Sequence, residues 1–289
     1  MEEYVLVTGA SKGLGYAFVK NLINQDVNVI GVARNCSSLN KLNDDLKKTK
    51  VIAYDCDLTN LEEVKKLLII LKQYNIKAVI NNAGFGQSDF AWNIKTDTSQ
   101  NMIKLNVNAL HLITEEFLKI FTKANKGLIV NVSSVIAPFM AGPGFATYYA
   151  TKSFVWNYSV GLNQELKFNK KNVKVIALNT GILETHFAKN LNNKLEIVEE
   201  EQVNIKVDKY VKKVLKKVYK TNKDYLVIGI KNKLSVFFVK ILPKKFILKR
   251  IMKFQMNKFK KKWNLMFHFF ILLNCKFLQH YFPYMLLKK

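Results

Sequence analysis

The run Tyr4-Val5-Leu6-Val7-Thr8-Gly9-Ala10-Ser11-Lys12-Gly13-Leu14-Gly15 decides how the rest of the chain is read. A short apolar run, Tyr4 to Val7, passes directly into three glycines spaced G-x-x-x-G-x-G, and an amphipathic pattern follows over residues 13–24. That order reads as a strand, a tight turn and a helix start. Gly9 permits the turn, Gly13 lets the backbone approach a pyrophosphate, and Gly15 allows the helix to pack closely on the strand. The helix N-terminus then presents unpaired N–H groups to an anion. The spacing departs from the G-x-G-x-x-G dinucleotide fingerprint. The triplet is informative because of where it stands, between a strand and a helix.

Outward from this point the same alternation repeats. Apolar, β-branched runs at Tyr4–Val7, Val27–Val32, Val51–Tyr54, Ala78–Asn81, Leu128–Val132, Val173–Leu178 and Tyr225–Ile228 predict strands. Amphipathic stretches at 13–24, 38–48, 60–73, 99–124, 148–169 and 207–220 predict helices, with Leu61, Val64, Leu67, Leu68 and Leu71 marking one helical face. Repeated strand–helix alternation predicts an α/β fold: a doubly wound parallel sheet covered on both faces. No Pro- or Gly-rich linker divides residues 1–230, which read as one domain. Residues 231–255 read as two amphipathic helices hinged at Pro243.

The composition is that of a folded protein, with 49% hydrophobic and 23% charged residues. The net charge of +25 is unevenly placed: residues 225–289 hold 15 Lys/Arg and no Asp or Glu. Such a segment suits an anionic membrane surface or an acidic partner. Within 256–289, the uncharged run Trp263–Cys275 is too short to span a bilayer. Those residues read as a basic, apolar extension lying on a membrane surface or lacking order. No nucleic-acid motif accompanies its aromatics. Cys36, Cys56 and Cys275 show neither metal nor disulfide spacing, which fits a reducing compartment. The acidic start, Met1-Glu2-Glu3, does not resemble a signal peptide, so a cytoplasmic location with peripheral membrane association is expected. His111, His186, His268 and His280 lack metal-ligand spacing.

Chemistry-bearing motifs follow the glycine loop in order: Asp57-Leu58-Thr59, Asn81-Asn82-Ala83-Gly84, Leu105-Asn106-Val107, Val132-Ser133-Ser134 and Tyr148-Tyr149-Ala150-Thr151-Lys152. Tyr148 and Lys152 are an i, i+4 pair and share a helix face. A free tyrosine titrates near ~10. A neighbouring ammonium is expected to lower that value and let Tyr148 exchange a proton near neutrality. Together these motifs resemble the short-chain dehydrogenase/reductase family over residues 4–230. The branch suggested by Tyr225 to Pro243 is similar to 3-oxoacyl and 17β-hydroxysteroid reductases.

The resemblance implies a Rossmann fold and hydride transfer between a nicotinamide and a carbonyl or secondary alcohol of acyl-bearing or otherwise hydrophobic type, with the positive nicotinamide ring expected to lower the Tyr148 pKa further. It implies Ser134, Tyr148, Lys152 and Asn106 as the catalytic group, with Ser133 as the alternative serine. The family usually places its serine 13 residues before the tyrosine, whereas Ser134 stands 14 before Tyr148. It implies cofactor contacts from Gly9, Ser11, Lys12, Gly13, Leu14, Gly15, Asp57, Leu58, Asn82, Ala83, Gly84, Tyr148, Lys152, Gly181 and Thr185. It implies a lid over 186–206. It also implies a dimer or tetramer built through the helices at 99–124 and 148–169. The second strand ends Val32-Ala33-Arg34, with no acid for a ribose 2′-hydroxyl and a guanidinium suited to a 2′-phosphate. With Lys12 this predicts NADP(H) as the cofactor. A competing reading is an NADPH-binding regulator with little turnover.

Overall fold

The computed structural model describes residues 2–43, 49–138, 142–181, 183 and 205–253. Thr185, the segment 184–204 that includes most of the expected lid, and the extension 254–289 lie outside the described residues.

Seven strands form one parallel sheet in the order β3-β2-β1-β4-β5-β6-β7. They are β1 Glu3–Thr8, β2 Asn28–Ala33, β3 Val51–Asp55, β4 Asn75–Asn81, β5 Gly127–Ser134, β6 Val173–Thr180 and β7 Tyr225–Val227. The strands are nearly continuous in Val, Ile and Leu because both faces are covered. On one face, α1 (Gly13–Ile23), α2 (Ser37–Asn43) and α7 (Ile205–Val218) bury Phe18, Leu22, Leu39, Val211 and Val214 against Val5, Val7, Val130 and Leu178. On the other, α3 (Leu61–Leu71), α5 (Leu110–Ala124) and α6 (Ala146–Phe168) bury Val64, Leu67, Ile113, Phe117 and Leu166 against Leu6, Ile30, Val79 and Ile129. The chain winds outward from β1 in both directions, so the reversal of strand order falls between β1 and β4. That is where an open α/β sheet leaves a crevice at its carboxyl edge.

Two departures from the periodicity have causes in long-range contacts. β4 begins at Asn75, three residues before the expected start, because a register shift between Tyr4 and Val5 lets Asn75 and Ile76 pair with Glu3 and Tyr4. α2 is described only to Asn43, and the rest of the expected helix over 38–48 falls at 44–48, outside the described residues. The expected helix over 99–124 is α4 (Thr96–Ile103) joined to α5 through a π-helical turn, Lys104–Ala109. That turn carries Asn106, and helices take up π turns where a side chain must be re-aimed.

After β7, Gly229 (φ 94) turns the chain into α8 (Ile230–Ile241). A second helical stretch, α9, covers 244–253. Pro243 stands between them, and its ring nitrogen offers no N–H to continue a helix.

Candidate active site

The carboxyl ends of β1, β4, β5 and β6 meet at one edge of the sheet. At β1, Gly9 (φ 64) and Gly13 (φ 58) occupy left-handed backbone that other residues rarely adopt. A Cβ on Gly15 would lie 2.1 Å from the Gly9 carbonyl oxygen, so the helix can approach the strand only without a side chain there. The segment after β4 locks onto this loop. Thr8 Oγ1 accepts the Asn82 and Ala83 N–H groups, each at 3.0 Å. Asn82 Nδ2 donates to the Thr8 and Gly9 carbonyls at 3.0 and 3.2 Å. Asn82-Ala83-Gly84 therefore braces the glycine loop. Thr8, absent from the expected site, is the hinge of that brace.

The first turn of α1 has no side-chain cap and no acidic residue, which leaves its N–H groups for an anion. Lys12 and Arg34 are both exposed beside it, and neither takes part in an ion pair among the described residues. The loop is further tied by Ser38 Oγ donating to the Ser11 carbonyl at 2.8 Å. Leu14 packs partly buried against the core. At the end of β3, Asp57 Oδ1 accepts from Thr59 N and Thr59 Oγ1, both at 2.9 Å, and Leu58 is buried. These donors, small residues and cations fit a phosphate-bearing dinucleotide.

β5 and α6 carry the second half of the site. Tyr148, Lys152 and Ser134 are all buried. The hydroxyls of Ser134 and Tyr148 are hydrogen-bonded. Ser133 points elsewhere: its hydroxyl donates to the Lys152 carbonyl at 2.9 Å and ties β5 to α6. Geometry thus separates the two serines, which their spacing did not. Lys152 Nζ donates to the Val132 carbonyl at 2.8 Å and stands 6.0 Å from the centroid of the Tyr148 ring. Burial lowers the Lys152 pKa to about 8. Burial also pushes the Tyr148 phenol above its ordinary value, and the Ser134 hydrogen bond only partly opposes this. The expectation that the neighbouring ammonium lowers the phenol is corrected for the protein's own groups: burial sets the direction, and the opposing effect comes from Ser134 and not from Lys152.

Gly86, also unforeseen, backs the tyrosine. A Cβ there would sit 2.9 Å from Tyr148 Cδ2, so the glycine is what lets the ring lie flat against the β4 loop. Gly84 leaves room in the same way: a Cβ there would lie 2.9 Å from Asn106 Oδ1 and 3.5 Å from Lys152 Nζ. Asn106 clamps this loop. Its Oδ1 accepts the Phe85 N–H at 3.0 Å, and its Nδ2 donates to the Phe85 carbonyl at 2.8 Å and to Thr151 Oγ1 at 3.1 Å. At β6, Thr180 stands where the resemblance expects proline. Its hydroxyl donates to the Ser133 carbonyl at 3.2 Å and its carbonyl accepts from Val135 at 2.9 Å, so the turn is held without the ring. Gly181 lies against Asn232 of α8, where a Cβ would be 2.6 Å from Nδ2.

Comparison with known proteins places this arrangement. The family model described as short chain dehydrogenase matches residues 3–196. Dehydrogenase/reductase SDR family member 11 of Bos taurus is 30% identical over 202 residues, 67% of this chain and 79% of that protein. A short-chain dehydrogenase from Sphingobium yanoikuyae, solved in complex with NADPH, is similar with a TM-score of 0.69 and 27% identity, over 81% of this chain and 91% of that one. A 4-hydroxyisoleucine dehydrogenase mutant complexed with NADH and succinate gives 0.59 and 25%, over 64% and 76%. With its parallel sheet, its glycine loop and a family match over residues 3–196, the chain belongs to the short-chain dehydrogenase/reductase family of oxidoreductases.

Proposed function

We propose that this protein is an NADPH-dependent reductase that converts a carbonyl to a secondary alcohol, with Ser134, Tyr148 and Lys152 as its catalytic residues. The observation that carries the reading is the buried, hydrogen-bonded pair Ser134–Tyr148 with the Lys152 ammonium 6.0 Å from the phenol ring. When bound, the nicotinamide supplies the hydride. The protein's part is to bind, orient and move a proton. Tyr148, held in its acid form by burial, donates its proton to the carbonyl oxygen as that oxygen gains charge. The Ser134 hydroxyl, at the same point, hydrogen-bonds that oxygen and polarises it. Lys152, at about 8, exchanges a proton near neutral pH, and in this reading it holds the nicotinamide ribose with Tyr148. Asn106 acts through position, keeping the Phe85–Gly86 loop against Tyr148.

In this reading the pyrophosphate rests on Gly9, Ser11, Gly13, Leu14 and Gly15 at the amides of α1. Asp57, Leu58 and Ala83 flank the adenine, and Gly181 and Thr185 flank the nicotinamide end. Arg34 and Lys12 take the 2′-phosphate, which makes NADP(H) the preferred cofactor. The NADPH held by the Sphingobium relative supports this choice. The substrate is an apolar, acyl-type or ring-bearing carbonyl, in keeping with the branch suggested by Tyr225 to Pro243. Self-association through α5 and α6 belongs to the same proposal. Their outer faces share an aromatic patch in which the rings of Phe154 and Tyr158 stack at 5.4 Å and His111 lies 5.0 Å from Tyr158.

The test is NADPH oxidation with a panel of ketones, aldehydes and 3-oxoacyl thioesters, alongside Tyr148→Phe. The variant should lose about 10²–10⁴ in kcat, the usual weight of a general acid, while still binding NADPH with a much smaller loss of affinity. A wild-type protein that binds NADPH but turns over no member of the panel would instead favour the regulator.

A further inference from the structure

α8 is amphipathic in the wrong sense for a helix that only packs. Its inward residues are Asn232, Val236 and Val239, spaced i, i+4, i+7. Val236 is buried with Ala137, Trp156 and Val227, and Asn232 lies against Gly181. The large apolar side chains Ile230, Leu234, Phe237, Phe238 and Ile241 are exposed, at 78%, 49%, 56%, 48% and 63%. Successive helix residues turn by about 100°, so these five fall in one arc of about 100°, opposite the packed face. Lys231 and Lys233, both exposed, flank that arc on either side. α9 continues the theme, with Phe246, Leu248 and Met252 exposed and Lys244, Lys245, Lys249, Arg250 and Lys253 exposed among them. The exposed Arg250 guanidinium sits 5.2 Å from the centre of the Phe246 ring.

An apolar arc of this size facing water marks a surface that something covers. Charge decides what. Residues 225–289 contain no acid, and the chain as a whole is at +25, so two copies placed face to face through α8 would oppose lysine to lysine. A neutral apolar partner would leave the flanking cations without counter-charge. A bilayer rich in anionic headgroups answers both features, taking the phenylalanines into the acyl boundary and the lysines at headgroup level. Among the described residues no helix is long and apolar enough to cross a membrane, so the helix lies along the surface.

We propose that α8 and α9 form a docking face for anionic phospholipid, with Phe237, Phe238 and Ile241 inserted and Lys231 and Lys233 at the headgroups. The docked face adjoins the site. Val236 packs on Ala137 of the loop between Ser134 and Tyr148, and Asn232 meets Gly181. The proposal stands on the exposed stripe and its charge, independently of the reaction assigned to the site.

The experiment is vesicle flotation of the full chain with phosphatidylcholine alone and with phosphatidylcholine containing phosphatidylglycerol. Two variants of the full chain are compared, Phe237→Glu/Phe238→Glu/Ile241→Glu and Lys231→Glu/Lys233→Glu, each shown by circular dichroism to melt as wild type does. Wild type should float with the anionic vesicles and not with phosphatidylcholine. The apolar variant should lose at least about tenfold in partitioning, and the charge variant should lose most of its preference for phosphatidylglycerol. Equal binding to both vesicles would overturn the proposal, as would no binding to either. Undiminished flotation of the apolar variant would assign membrane contact to residues 254–289 instead. A lipid-free, concentration-dependent dimer abolished by the same substitutions would assign the face to a second copy.

Discussion

Lys152 and Tyr148 both respond to burial, and in opposite directions. The ammonium is pulled down to about 8 and the phenol is pushed up, because the low-polarity interior disfavours each charged form. For Lys152 this is also a statement about folding. The unfolded chain binds its proton up to about 10.5 and the folded chain only to about 8. Between those values the unfolded state holds more protons, so stability from this group rises with pH across the window and is lowest below pH 8. The gap corresponds to about 3 kcal/mol withheld at neutral pH. Lys152→Met removes that cost and one hydrogen bond worth about 1 kcal/mol. The variant should be about 2 kcal/mol more stable than wild type at pH 7 in urea unfolding, with the difference gone by about pH 10, while turnover is lost. Arg34 is tested at the same scale. Charge-assisted bonds to a 2′-phosphate contribute about 1.5–3 kcal/mol, so Arg34→Ala should lower kcat/KM with NADPH by about 10–100-fold and leave NADH little affected. An equal effect on both cofactors would show that Arg34 does not read the phosphate.

At the scale of elements, the π turn between α4 and α5 matters most. It sets Asn106 opposite Phe85, where one side chain occupies both the N–H and the C=O of that residue and also reaches Thr151. Thr151 in turn donates to the Tyr148 carbonyl at 2.8 Å, so the clamp joins the β4 loop to α6. Asn106→Ala would leave the half-buried Phe85 N–H and C=O and the Thr151 hydroxyl with fewer partners, and should cost about 2–4 kcal/mol in thermal unfolding. Asn106→Asp keeps the shape but sets a carboxylate against the Phe85 carbonyl, and should cost at least as much. If the aspartate variant melts with wild type, the donor role of Nδ2 is wrong. Periodicity showed a helix at 99–124 but not the π turn, because the extra residue is dictated by a contact with a loop twenty positions earlier. The strands were easier to read, since a buried parallel strand is apolar at every position. Even there, the three extra residues of β4 came from pairing with β1 that no local pattern records.

For the molecule as a whole, charge is the dominant long-range effect. The chain carries 46 basic and 21 acidic residues. The ion pairs formed, such as Lys65–Glu62 and Lys50–Glu2, are largely exposed and contribute little each. Repulsion among the remaining cations opposes compaction and is screened by salt, with a Debye length falling from about 30 Å at 0.01 M to about 10 Å at 0.1 M. The melting temperature measured by scanning calorimetry should therefore rise over that range. A fall would mean that the surface ion pairs outweigh the net repulsion.

The amino-acid sequence by itself determined the strand–helix alternation, the glycine loop that opens the first helix, and the i, i+4 pairing of Tyr148 with Lys152. Each of these is local: a run of side chains or a spacing along one helix carries the information. Three matters were decided only by the tertiary structure. Ser134 rather than Ser133 meets Tyr148, because the register of β5 against α6 puts the Ser133 hydroxyl on the Lys152 carbonyl, one turn further along the helix. Tyr148 is raised rather than lowered, because desolvation depends on what surrounds a group and not on its neighbour four residues away. The stripe of α8 faces out, because the stripe is written in its residues but the side turned to the protein is set by what Val236 and Asn232 pack against.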